Sequence, residues 1–142
     1  DPFYAVAVFG DGSVTLNQQA QIDGVALGAT GCIVVLDNRR MGAISSLQRA
    51  QYLHDFATHD GVAVDYCAWA SSIGGVRALF GGHTVTDLQV ALESAIRGGG
   101  LSLIHVPVYF GDDPLGGLGA FGRWNVGPWV HDVQAMRHDL AL

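Results

Sequence analysis

Asp11 and Asn38 carry the oxygen atoms on which a functional reading of this sequence turns. Asp11 lies in the turn Gly10-Asp11-Gly12-Ser13, directly after an apolar run over residues 3–9; Asn38 follows a second apolar run that ends in Asp37. A carboxylate and a neutral amide oxygen are hard donors of the kind magnesium takes, with phosphates and water completing its shell. A single carboxylate also limits the negative charge set against a diphosphate. Gly10 and Gly12 let backbone N–H groups come close to an anion, and Ser13 adds a hydroxyl donor. Loop carbonyls just after Asn38, that of Arg40 first among them, supply further oxygens. The chemistry is that of a magnesium–diphosphate site. The plainer alternatives are a turn aspartate bonding its own backbone and an asparagine capping a strand end.

Such a site needs two strands side by side. Residues 3–9 read as a strand, residues 14–27 as a helix with Ile22, Val25 and Ala26 on its apolar face, and residues 32–37 as the next strand. Gly28 and Gly31 bracket the helix end. Strand, helix and strand over so short a span imply a right-handed crossover and parallel pairing. That brings Asp11 and Asn38 together at the carboxyl ends of the strands, where ligands of open α/β sheets bind. Further on, residues 44–53 read as a helix, 58–64 as a surface loop, and 66–73 as a helix capped by Asp65. A strand at 76–80, a helix at 88–97 and a strand at 101–106 stopped by Pro107 follow. The fold class expected is α/β, a three-layer doubly wound parallel sheet with helices on both faces. The first strand is expected to be central. A domain opening on its central strand reads as a piece of something longer or half of a split enzyme, an arbitrary boundary being the alternative.

Residues 1–109 form the expected α/β domain and 110–142 a tail of different character. Between Phe110 and Trp129 the tail holds six glycines, Pro114, Pro128 and two tryptophans, Trp124 and Trp129. That is too aromatic for a plain disordered tail. It is expected to pack on a partner or over the active site, with residues 130–142 forming a short helix.

Composition narrows the partners. The chain of 142 residues is 49% apolar and 14% charged, with a mean hydropathy of +0.29. Either another subunit or domain covers part of that apolar surface, or the sheet is buried on both faces. The net charge is −6, and lysine is absent. This argues against a nucleic-acid partner, which requires a basic face, and against an anionic membrane surface. No apolar run approaches bilayer length. Cys32 and Cys67 have neither disulfide-framework nor zinc spacing, and a cytoplasmic setting is expected.

The glycine-rich turn does not fit the dinucleotide fingerprint, because Thr15 stands at the third glycine position, and it lacks the lysine of a P-loop. Gly10-Asp11-Gly12-Ser13 followed by Asn38 after twenty-four intervening residues instead resembles the thiamine-diphosphate-binding motif of the decarboxylase and acetolactate synthase superfamily. The order Val64-Asp65-Tyr66-Cys67-Ala68, a glycine pair and strand, then Asp87-Leu88 before a helix resembles the same cofactor domain. The resemblance covers roughly residues 3–109. It implies thiamine diphosphate and magnesium as cofactors, with Asp11, Asn38 and the Arg40 carbonyl as metal ligands. Gly10, Gly12 and Ser13 would hold the diphosphate, and Met41 and Gly42 would join the cofactor-binding set. The implied activity is cleavage or formation of a carbon–carbon bond beside a carbonyl, with the cofactor as electron sink.

Within the superfamily, residues 36–48, with Phe56-Ala57-Thr58 and Trp124-Asn125-Val126-Gly127, resemble the trihydroxycyclohexane-dione hydrolase of inositol breakdown. That implies hydrolytic cleavage of a cyclic 1,2-dione. The segment between Thr58 and Asp65 is shorter than in that family, and the stretch 116–122 departs from it. Decarboxylation or carboligation of a 2-oxo acid is the runner-up, and a non-catalytic regulatory subunit is the alternative of another class. In the superfamily the catalytic glutamate belongs to a pyrimidine-binding domain or subunit. Glu93, the one glutamate here, reads as a solvated residue on an outer helix. No catalytic residue is assigned, therefore, and the expected partners are a pyrimidine-binding domain, further copies in a homo- or hetero-oligomer, and a small carbonyl substrate. The six histidines lack metal-ligand spacing and read mostly as surface or packing residues. Arg39 and Arg40 either steer an anionic substrate or form a solvated loop, and Met41 and Ile44 either wall the thiazolium or serve the core.

Overall fold

The computed structural model describes residues 4–59 and 62–108, which fall into two compact units, 4–40 with 62–108 and 41–59. The expected tail, with Trp124 and Trp129, lies outside the described residues. In chain order the elements are β1 (Ala5–Gly10), α1 (Asp11–Val14), α2 (Gln19–Ala26), β2 (Gly31–Asp37), α3 (Gly42–Tyr52), α4 (Tyr66–Ser71), β3 (Val76–Phe80), α5 (Val85–Gly98) and β4 (Leu101–Pro107).

The four strands pair in parallel in the order β1-β2-β4-β3. Alternation along the strands sends successive side chains to opposite faces, and both faces of the central strands β2 and β4 are covered. Cys32, Val34, Ile104 and Val106 pack with Ala91 and Ala95 of α5. Val35 and Leu103 pack on the other face with Val14 of α1 and Tyr66 and Ala70 of α4. Right-handed crossovers account for the division: connections running one way along the sheet cover one face, and the returning β3–β4 connection covers the other. This is the doubly wound α/β architecture expected. A Cβ on Gly31 would collide with the Ala5 carbonyl, so glycine lets β1 and β2 start together.

Two expectations are corrected. Among the described strands β1 lies at the edge, and the central pair is β2 and β4, because the chain passes beyond the future position of β4 to lay down β3 before returning. The helix expected over residues 14–27 starts only at Gln19, as α2, and the turn expected just before it is itself a helical turn, α1. Thr15 turns its hydroxyl back onto the Gly12 carbonyl at 3.0 Å, offering the backbone a local alternative to helix. α1 therefore stops after one turn, and α2 starts at Gln19.

α5 is closed by a capping box. The Thr84 hydroxyl accepts from the Asp87 backbone at 3.1 Å, and the Asp87 carboxylate accepts from the backbone of Thr84 at 3.1 Å and of His83 at 3.2 Å. Asp65 caps α4 as expected, accepting from Ala68 N–H at 2.8 Å. No helix among the described residues is long and apolar enough to cross a membrane.

In the second unit, α3 ends at Leu53 in the left-handed region, φ 63°, and the chain turns back through Asp55. That carboxylate accepts from the buried Ser45 hydroxyl, from Arg49 at 3.3 Å and from Thr58 at 3.2 Å, and meets His59 Nε2 at 3.0 Å. The Ser45 hydrogen bond, then Arg49 and His59, hold its pKa well below the usual carboxylate range. Since the folded value is the lower one, this contribution is present above the unfolded pKa of about 3.9 and is lost as pH falls through the folded value. Amide-exchange protection over residues 42–59 is expected to hold at neutral pH and fall on acidification below about pH 4. In Asp55→Asn it is expected to be weak throughout and free of that acid dependence. An identical acid profile in the variant would assign the loss to another group.

Candidate functional site

The turn that follows β1 is built by one hydrogen-bonded helical turn. Gly10 is extended, φ −74° and ψ 158°, and Asp11 opens α1 with only 4% of its surface exposed. Ser13 is exposed, and Val14, on the inward side of the turn, is anchored in the core. Among the described residues, a Cβ at Gly10 or Gly12 would meet nothing within 4 Å. Open space therefore flanks the backbone where an anion would have to approach. Because α1 has only four residues, any anion binding here draws on local N–H groups and little on a helix dipole.

Gly10 pairs with Leu36 across the β1–β2 ladder. Asp11 is one residue beyond that pair and Asn38 two beyond it, so the two sit at adjacent strand ends. Asp37 Oδ1 accepts from Arg39 N–H at 3.0 Å and Asn38 Oδ1 from Arg40 N–H at 3.1 Å. Between them Arg39 takes the left-handed conformation, φ 54°, which few non-glycine residues adopt. Asn38 thus makes the strand-end bond of the plainer reading. An amide oxygen has a second lone pair, which leaves it capable of binding a cation as well.

One pair at this edge was not read from the sequence. Asp37 Oδ2 lies 2.9 Å from His105 Nε2 of β4, both side chains being nearly buried. The imidazole packs edge-on against Tyr66, with ring centroids 5.1 Å apart, and against Phe80 at 5.9 Å. The signal exists only in the register: His105 pairs with Val35, two residues before Asp37 and on the same face.

Met41 and Gly42 belong to the second unit. Met41 precedes α3, donates its N–H to the Thr58 carbonyl at 2.8 Å and is half-exposed. Glu93 lies on α5, half-exposed, with Arg97 at 3.4 Å, a solvated residue as expected. Burial first, and Asp65 second, push the Cys67 thiol up; burial does the same to Cys32, so neither is poised as a thiolate. Among the described residues no three His, Cys, Asp or Glu side chains gather as a metal cluster. Asp11 and Asn38 offer oxygen donors at adjacent strand ends, a donor type that suits magnesium better than a soft metal.

A family model described as "Thiamine pyrophosphate enzyme, C-terminal TPP binding domain" matches residues 4–106. The chain belongs to this family. The thiamine pyrophosphate domain assignment agrees with the superfamily resemblance carried by Gly10–Ser13 and Asn38. Two solved structures share its fold. One is a thiamine diphosphate-dependent 4-hydroxybenzoylformate decarboxylase from Rhodococcus jostii RHA1, with 23% identity and a TM-score of 0.70. The other is benzoylformate decarboxylase from Polynucleobacter necessarius, with 24% identity and a TM-score of 0.70. Each similarity covers 78% of this chain and only 20% of the other, so the chain spans about a fifth of their length. No curated protein matches the sequence.

Proposed function

We propose that this thiamine pyrophosphate domain grips the cofactor's diphosphate through a magnesium ion held by Asp11, Asn38 and the Arg40 carbonyl. The observation that carries the reading is the buried Asp11 carboxylate at the end of β1, beside Asn38 at the end of β2. Asp11 contributes the anionic oxygen, and its burial keeps bulk water from weakening the attraction to a cation. Asn38 contributes a neutral oxygen, and its bond to Arg40 N–H fixes the direction of that oxygen. Gly10 and Gly12 expose N–H groups to the phosphates, and Ser13 donates a hydroxyl hydrogen bond. When bound, the cofactor supplies an electron sink for the carbon–carbon bond beside a carbonyl.

The glutamate that activates the cofactor comes from a pyrimidine-binding domain or subunit, so catalysis requires that partner and an oligomer, in a cytoplasmic setting. The exposure of Val6, Val8 and Phe9 on β1 supports a covering element. The run from Leu36 to Gln48 favours hydrolysis of a cyclic 1,2-dione. The fold shared with two aryl 2-oxo acid decarboxylases keeps decarboxylation as the second reading.

The test is substrate profiling of the full protein carrying this chain, with magnesium and thiamine diphosphate. Ring opening of a cyclic dione without carbon dioxide release is the expected result. Carbon dioxide from benzoylformate or pyruvate, with the dione untouched, would replace the first reading by the second. No turnover of either, together with biological activity that survives Asp11→Ala, would point to a regulatory subunit.

A further inference from the structure

We propose that His105 is the positioning residue of the metal-binding turn, an inference that rests on the cofactor reading above. Asn38 and Arg40 lie beyond the last paired residue of β2, so the β ladder does not orient them directly. Their turn contains Arg39 at φ 54°, a conformation that persists only where its surroundings enforce it. Asp37 provides part of that enforcement. Its Oδ1 takes the Arg39 N–H at 3.0 Å, and its backbone carbonyl takes the Val108 N–H at 2.9 Å.

A carboxylate held at one oxygen can still rotate about its own axis and release the turn. The second oxygen, Oδ2, is held by His105 Nε2 at 2.9 Å. A carboxylate accepts and an imidazole N–H donates, so this bond places the hydrogen on Nε2. The imidazole in turn has little freedom, being only 13% exposed at the side chain and wedged against Tyr66 of α4 and Phe80 of β3. The constraint runs from the aromatic packing through His105 to Asp37, and from Asp37 to the Arg39 backbone flanked by Asn38 and Arg40. It resembles in kind the outer hydrogen bonds that orient metal ligands elsewhere.

Manganese serves as the probe, because its bound form is visible by electron paramagnetic resonance while it takes oxygen ligands much as magnesium does. In the full protein with thiamine diphosphate present, His105→Leu is expected to weaken manganese binding by about ten- to a hundredfold. It fills similar space but has no donor. His105→Gln puts an amide N–H near the position of Nε2 and is expected to recover most of that loss. Circular dichroism and thermal unfolding separate positioning from folding. If the leucine variant does not fold, His105→Asn, whose amide falls short of Asp37, takes its place with the same expected loss.

Wild-type manganese affinity in the donor-less variant overturns the inference, as does a folded glutamine variant no better than it. In both cases wild-type binding leaves the cofactor reading standing. A wild-type protein that binds no manganese with thiamine diphosphate removes the reading and the inference together.

Discussion

Asp11→Asn is expected to lower magnesium-dependent thiamine diphosphate affinity by at least about a hundredfold, beyond the range usual for outer-shell changes. The substitution keeps the shape and an amide oxygen while removing the charge. In the wild type that charge is 96% withdrawn from solvent, since Asp11 is 4% exposed, and a cation beside it would meet little screening. Asn38 is neutral, so after the exchange no anionic side chain would remain among the three assigned ligands. Isothermal titration of thiamine diphosphate, with and without magnesium, reads the effect directly. Equal affinities for wild type and variant would remove Asp11 from the metal shell and leave only the open glycine backbone as an anion site. Unfolding measurements complete the test by separating loss of the ligand from any loss of the turn's own stability.

Leu103→Ala carries the largest expected stability effect. Leu103 is fully buried in the centre of β4, in the cluster with Val14, Val35, Tyr66 and Ala70. Truncation removes transfer free energy and leaves a void that strands on both sides prevent from closing. A loss of about 2–5 kcal/mol is expected, seen in urea unfolding as a lower midpoint at unchanged slope. The change should also loosen the Gly10–Ser13 turn, because Val14 anchors α1 in the same cluster. A loss below about 1 kcal/mol would mean that this face does not pack as described.

The parallel sheet was legible because β2 and β4 are buried on both faces, so their sequences are largely apolar, without a regular polar alternation. Asp11 and Asn38 were legible for a related reason: turn chemistry interrupts such runs abruptly, and the interruption marks the strand end. The break between α1 and α2 was not, because it depends on the Thr15 hydroxyl choosing the Gly12 carbonyl over solvent. Nor was the edge position of β1 among the described strands, since an apolar strand reads alike whether sheet neighbours or another chain cover it. The Asp37–His105 pair joins residues 68 apart in sequence. Neither residue has a local pattern, and only the pairing of β2 with β4 brings them together. Histidines read one at a time pass for packing residues, as His105 did.

The outer flank of β1 has a practical consequence. Among the described strands it has no neighbour on that side, and Val6 and Val8 lie more than half-exposed. A row of amides and carbonyls that no described strand pairs, with aliphatic side chains beside it, is a template for recruiting another strand. Preparations of this domain alone are therefore prone to self-associate as concentration rises, even while every molecule remains natively folded. Higher-order species eluting from a sizing column would then report on that flank and carry no information about misfolding.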